Sequence, residues 1–211
     1  MKYSVIRSKR KSLCLTVGKN GDVLVRAPLF VGDREIEYFV MRHERWIVSR
    51  LEKRKRQRTL PVNDNDVLTL FGEPYRIGEG KPKISDGKIY LPASGREIAL
   101  KELIKPLAKE KLTALAEELS SRYGFGYSAV RISEARTRWG SCNKKGVLSF
   151  TCFLSFVNPA LARYVVVHEL CHTRYFNHGK SFWREVEKVL PDWRARRAEL
   201  RREEDCLEYL R

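Results

Sequence analysis

The run Val165-Val166-Val167-His168-Glu169-Leu170-Cys171-His172 constrains this chain more than any other feature. Asn158 and Pro159 upstream have the signature of a helix start, an Asn cap followed by proline in the first turn, and they predict a helix that carries the whole run. Three β-branched apolar residues before His168 make that helix buried, and buried imidazoles must find partners. Residues four apart on a helix are neighbours, with Cβ atoms about 5–6 Å apart. His168 and His172 therefore can converge on one metal ion, at the ~2.0–2.1 Å that zinc–imidazole bonds require. Glu169, beside the first imidazole, is placed to reach a metal-bound water and act as general base instead of a ligand.

His178 lies six residues after His172, past a helix end expected at Asn177, and Gly179 permits a sharp reversal there. A turn at that point brings a third imidazole to the same metal. Three protein ligands with one open position is the arrangement of a catalytic zinc site, whereas a closed four-ligand site is structural. Two other residues compete for the third place: Cys142, through its thiolate, and Glu185, a downstream carboxylate. The bland alternative has the histidines satisfied by hydrogen bonds at a helix end, with Glu169 paired to Arg174. Cys171 reads as a small apolar packing residue.

With 211 residues the chain has length for one large or two small domains. Its 43% hydrophobic content includes no apolar run near the roughly 18 residues of a membrane span, and the basic N-terminus lacks a signal-peptide core. A cytoplasmic protein with no membrane partner is expected. Five cysteines, Cys14, Cys142, Cys152, Cys171 and Cys206, form no CxxC pair and suit reduced thiols. The net charge of +16 is uneven: Lys2, Arg7, Lys9, Arg10 and Lys11 carry no nearby acid, and residues 42–58 hold eight basic residues against Glu44 and Glu52. Such a surface attracts nucleic acid or another acidic partner, or is merely a solvated cationic face. From Asp192 onward six acids balance six arginines, the pattern of a salt-bridged, solvated helix.

Short β-type runs (YSVI, LCLTV, VLVRA) fill residues 3–27, with a hairpin signal at Asn20-Gly21. Asp33 is placed to cap one basic helix with Ile36, Phe39, Val40, Ile47 and Leu51 on its apolar stripe. A second β-rich stretch spans Val67 to Leu91 and completes a small sheet. Ser94-Gly95-Arg96-Glu97 has the form of a capping box, so a long helix starts near residue 95 and ends at Gly124, with Pro106 kinking or splitting it. SAVRISEAR and GVLSFTCFLSF read as strands joined through the segment from Arg138 to Gly146, ahead of the helix that Asn158-Pro159 opens. The expected fold class is α+β, with an N-terminal β-rich basic region over 1–94 and a compact core over 95–211 whose HExxH helix packs on a small sheet.

Three blocks, Arg138-Trp139-Gly140-Ser141-Cys142, the HELCH of 168–172, and Asn177-His178-Gly179-Lys180-Ser181-Phe182-Trp183, together resemble the YgjP-like zinc metallopeptidases. That family is described as predicted metal-dependent hydrolases and is similar in its active-site helix to the SprT and WLM proteases. The resemblance implies zinc (Zn2+) held by His168, His172 and His178, Glu169 as the catalytic residue, a zincin-like peptidase core from about residue 95, and a polypeptide substrate. The His168-to-His178 spacing also matches the metzincin pattern, but Tyr175 stands where that pattern has glycine and no methionine follows the site. Arg138, as a cation, and Tyr175, through its hydroxyl, are candidates to stabilise an oxyanion. Trp139 and Trp183 either flank the cleft or fill the core. Rival readings remain: a nucleic-acid-binding protein with a structural metal, a DNA-associated protease guided by its basic N-terminal region, and a metal hydrolase acting on a bond other than a peptide.

Overall fold

The structure, a computed structural model, describes residues 2–18, 21–55 and 62–209, without the side chains of 53–55 and 204–209. Lys19 and Asn20 of the predicted hairpin turn and Arg56 and Arg58 of the basic run lie outside the described residues. The chain divides into two compact units, 1–58 and 59–211.

In the first unit, β1 (Ser4–Ser8) runs parallel to β3 (Val23–Pro28), and β2 (Cys14–Val17) pairs antiparallel on the other side of β3. Alternation along the central strand turns Val23, Val25 and Ala27 into a small core, which Ile36, Val40 and Ile47 complete. The single basic helix expected from Asp33 onward is two: α1 (Asp33–Arg42) and α2 (Glu44–Lys55). His43 breaks it by leaving helical backbone at φ −104°, ψ 9°, with its Nδ1 bonded to the Phe39 carbonyl at 2.7 Å. Gly32 occupies the cap position; Asp33 is the first helical residue and pairs with Arg7 at 2.5 Å.

The second unit opens with a four-stranded sheet of order β4-β5-β7-β6, formed by β4 (Val67–Leu70), β5 (Glu73–Glu79), β6 (Lys83–Ser85) and β7 (Lys88–Leu91). The sequence puts this stretch with the N-terminal region and a boundary before residue 95. Leu68, Leu70, Ile77, Ile89 and Leu91 instead share one core with Leu100, Ile104 and Leu112, so the division falls near residue 58.

α3 (Arg96–Tyr123) carries Leu100, Ile104, Ala108, Leu112 and Ala116 at four-residue intervals, all fully buried, which lays one continuous stripe against the core. Ser94 does not cap it. Gly95 does, at φ +68°, a left-handed backbone that glycine adopts without steric cost. Nor does Pro106 split it: Pro106 and Glu102, whose carbonyl loses its partner, are both exposed, so water can satisfy that oxygen. Gly124, at φ +67°, closes the helix where expected.

A three-stranded sheet follows, of order β8-β10-β9, from β8 (Ala129–Ser133), β9 (Gly140–Cys142) and β10 (Val147–Thr151). The strand expected to continue through FLSF stops at Thr151, whose hydroxyl accepts from the Phe153 amide; Cys152–Phe156 is a 3-10 turn. Asn143 Oδ1 accepts from the amides of Lys145 and Val147, building the tight turn that returns β9 against β10. α4 (Pro159–Cys171), α5 (Lys180–Val189) and α6 (Trp193–Tyr209) complete the unit. None of the described helices is long and apolar enough to cross a membrane.

Candidate metal centre

α4 starts as the sequence predicts, with Asn158 Oδ1 accepting from the Ala160 amide at 2.9 Å and Pro159 in the first turn. Contacts with α3, β9, α5 and α6 surround it, which is why Val165, Val166 and Val167 are all buried. The helix ends at Cys171, and His172 caps it. His168 and His172 thus sit one turn apart where the buried helix meets the surface, and residues 173–179 lead round to His178.

The three imidazoles come together. One ring nitrogen from each of His168, His172 and His178 lies within 4.8 Å of the others, and the Nε2 atoms of His168 and His178 are 3.0 Å apart. Tetrahedral zinc ligands at ordinary bond lengths stand about 3.3 Å from one another. His172 Nδ1 meets the Tyr175 carbonyl at 2.9 Å; with the proton on that nitrogen, the Nε2 lone pair is free for a metal. His168 Nδ1 is buried without a hydrogen-bond partner. Burial, together with its neighbours His172 and His178, drives His168 down to about 3, and burial likewise lowers His178. Neutral imidazoles with converging lone pairs are what a divalent cation needs, so the donor set fits a metal ion.

Phe182, fully buried, forms the floor: its ring centroid is 4.9, 4.6 and 4.8 Å from those of His168, His172 and His178. Trp183 stacks on His178 at 5.7 Å and 25°, and on Trp193 at 4.2 Å, so α5 and α6 together fix the orientation of the one exposed imidazole. Trp183 therefore borders the site, and Trp139 is both buried in the core and part of the cleft wall. Phe182 lies in the third quoted block, but nothing in its spacing marked it as the floor.

Glu169 is buried, and burial pushes its carboxyl up to about 8 while Arg138 pulls the other way. The pairing with Arg174 considered from the sequence does not occur. Arg174 binds Glu185 instead, with Lys188 on the second oxygen at 3.1 Å, and also donates to the carbonyls of Tyr123 and Gly124 at the end of α3. Those two cations engage Glu185, and it is not among the clustered donors. Cys142 is likewise outside the cluster, and burial raises its thiol to about 11. Tyr175 meets His172 through its backbone carbonyl.

Gly140 is where β9 touches the site. A Cβ there would stand 2.8 Å from both Cγ and Oε1 of Glu169, closer than real contacts allow. Gly140→Ala is therefore expected to displace the Glu169 carboxylate and, where that carboxylate is the general base that the sequence predicts, to lower kcat by about tenfold to a hundredfold, since misplacement by an ångström costs that much. Metal content should stay unchanged; steady-state kinetics beside elemental analysis checks both, and an unaltered kcat would show that Glu169 tolerates the shift.

A family model described as YgjP-like, metallopeptidase domain, matches residues 11–203. Among solved structures, the metallopeptidase zymogen of Pyrococcus abyssi abylysin is 29% identical over 44% of this chain and 91% of its own, with a TM-score of 0.39. The metallopeptidase zymogen of Methanocaldococcus jannaschii jannalysin is 17% identical over 44% of this chain and 95% of its own, with a TM-score of 0.40. No curated protein matches the chain.

Proposed function

The chain belongs to the YgjP-like metallopeptidase family, and from that premise we propose that it hydrolyses peptide bonds with a zinc ion held by His168, His172 and His178 and with Glu169 as general base. The observation that carries this reading is the convergence of three imidazole nitrogens beside a buried carboxylate. Zinc in that position supplies Lewis acidity, polarising the scissile carbonyl and acidifying a water molecule.

The protein's own residues do the rest. Glu169 accepts the proton of the attacking water and delivers it to the leaving amine. A carboxylate whose affinity for protons is raised by burial suits both halves of that transfer, because its pKa sits near working pH. Arg138 lines the same cleft as Glu169 and His168 and is the candidate to stabilise developing negative charge on the carbonyl oxygen. Phe182 and Trp183 hold the imidazoles in place and keep water from the underside of the site.

Purified protein without a metal-binding tag should contain about one zinc per chain by elemental analysis and cleave unfolded polypeptides. A chelator should remove both the metal and the activity, and stoichiometric zinc should restore them. Full cleavage by protein shown to be metal-free would overturn the proposal.

A further inference from the structure

Beside His168 and Glu169 the second unit opens a cleft of about 310 Å³, and three guanidinium groups line it: Arg138, Arg197 and Arg201. Arg197 and Arg201 are four residues apart on α6, so they share one face of that helix, while Arg138 comes from the segment leading into β9. Their charges reach into the site. Arg138 acts on Glu169, Arg197 on His168, His178 and Tyr164, and Arg201 on Tyr164.

Neighbouring arginines are neutralised: Arg194 pairs with Glu187, Arg196 with Asp192 and Arg174 with Glu185. Among the described residues the three in the cleft are in no ion pair, and Arg197 lies over the Trp183 ring at 4.8 Å. Among the described residues, then, the tail is not uniformly a salt-bridged helix of the kind its balanced charge implies: Arg197 and Arg201 on one face of α6 have no acidic partner there and stand in the cleft that Glu169 also lines. Walls of Trp139, Tyr164, Val165 and Leu200 make the surroundings less polar than water, which strengthens attraction for an anion. Guanidinium forks match the planar geometry of a carboxylate. A cleft of this volume admits about one amino-acid side chain, whereas a nucleic-acid backbone needs an extended track of cations.

We propose that Arg138, Arg197 and Arg201 form a subsite for a carboxylate of the peptide substrate, so that the enzyme acts on acidic peptides at a bond close to an Asp or Glu side chain or to a free C-terminus. This rests on the peptidase reading and names the substrate class of the same site. Substrate charge is thereby matched to three guanidinium groups that no acid among the described residues neutralises.

The test is calorimetric binding to the full-length, zinc-loaded Glu169→Gln protein, in which peptide persists. Three octapeptides are compared: one with a central Glu and an amidated C-terminus, one with Gln there and a free C-terminus, and one with Gln and an amide. At least one of the first two should bind about tenfold tighter than the third. The first being tighter assigns the subsite to a side chain, and the second assigns it to the terminal carboxylate. Arg201 is exposed, so Arg201→Gln should fold normally and lose most of that advantage, with Arg201→Lys retaining part of it. Loss of two charges outside the cleft, in Lys111→Gln with Arg131→Gln, should leave the advantage intact.

Equal affinity for all three peptides, or an advantage that survives both Arg201→Gln and Arg197→Gln, overturns the proposal. So does a single-stranded oligonucleotide that displaces the peptide and depends on Arg201 more strongly than the peptide does. Carboxylate preference in a protein whose wild type cleaves nothing counts against the peptidase reading, whereas cleavage without preference counts against the subsite.

Discussion

On the proposed mechanism, Glu169→Gln protein is expected to bind zinc as the wild type does and to lose hydrolysis, with kcat lower by about a thousandfold. Gln keeps the shape of the side chain and its place against Gly140, so ligand geometry is preserved, but it cannot take a proton from water. Activity within a few-fold of wild type would remove Glu169 from the mechanism. A second signature is thermodynamic. In metal-free protein the Glu169 carboxyl sits at about 8, above its ordinary 4.5, because ionising it inside the fold is costly. That raised value favours folding fully below the unfolded pKa, and the contribution is lost as pH rises through the folded one. Stability of the wild type therefore falls between about pH 4.5 and 8 relative to the Gln variant. With the metal chelated, the Tm difference in favour of Glu169→Gln should grow across that window by on the order of 5–10 °C. A difference independent of pH would show that Glu169 is not held in a desolvated site.

His168, Glu169 and His172 were legible because helical spacing is a local property: four residues apart means one face, whatever the rest of the fold does. Asn158-Pro159 and Gly124 were legible for the same reason, since caps depend on a few adjacent residues. His178 needed the added step of a reversal after the helix, which Gly179 permits. What the sequence concealed was non-local. The strands between Val67 and Leu91 alternate in the same way whichever core they face, and only the packing of Leu68 and Ile89 with α3 assigns them to the second unit. Ser94-Gly95-Arg96-Glu97 satisfies a capping-box pattern, yet the left-handed backbone at Gly95 takes the cap position itself. Charge balance along α6 hid Arg197 and Arg201, because counting acids and arginines in sequence says nothing about which face each occupies.

The third ligand decides whether this site is a zinc centre or a pair of helix histidines, and His178→Ala tests it. Zinc affinity should fall by more than about a hundredfold, exceeding what loss of a mere supporting contact costs. Loss of activity should follow the loss of metal and be relieved only partly by excess zinc. His178 is exposed and its contacts are with Phe182, Trp183 and the other two imidazoles, so the metal-free variant should melt within a degree or two of metal-free wild type. Equal stability without metal, combined with a large gap when zinc is added, separates a ligand from a packing residue. The competing donors have other commitments: Arg174 and Lys188 hold Glu185, and the Cys142 thiol is raised by burial and stands outside the cluster. Full zinc stoichiometry at unchanged affinity in His178→Ala would mean that one of them moves to replace the imidazole. Adding Glu185→Gln or Cys142→Ala to that variant identifies which, because only loss of the true third donor then releases the metal.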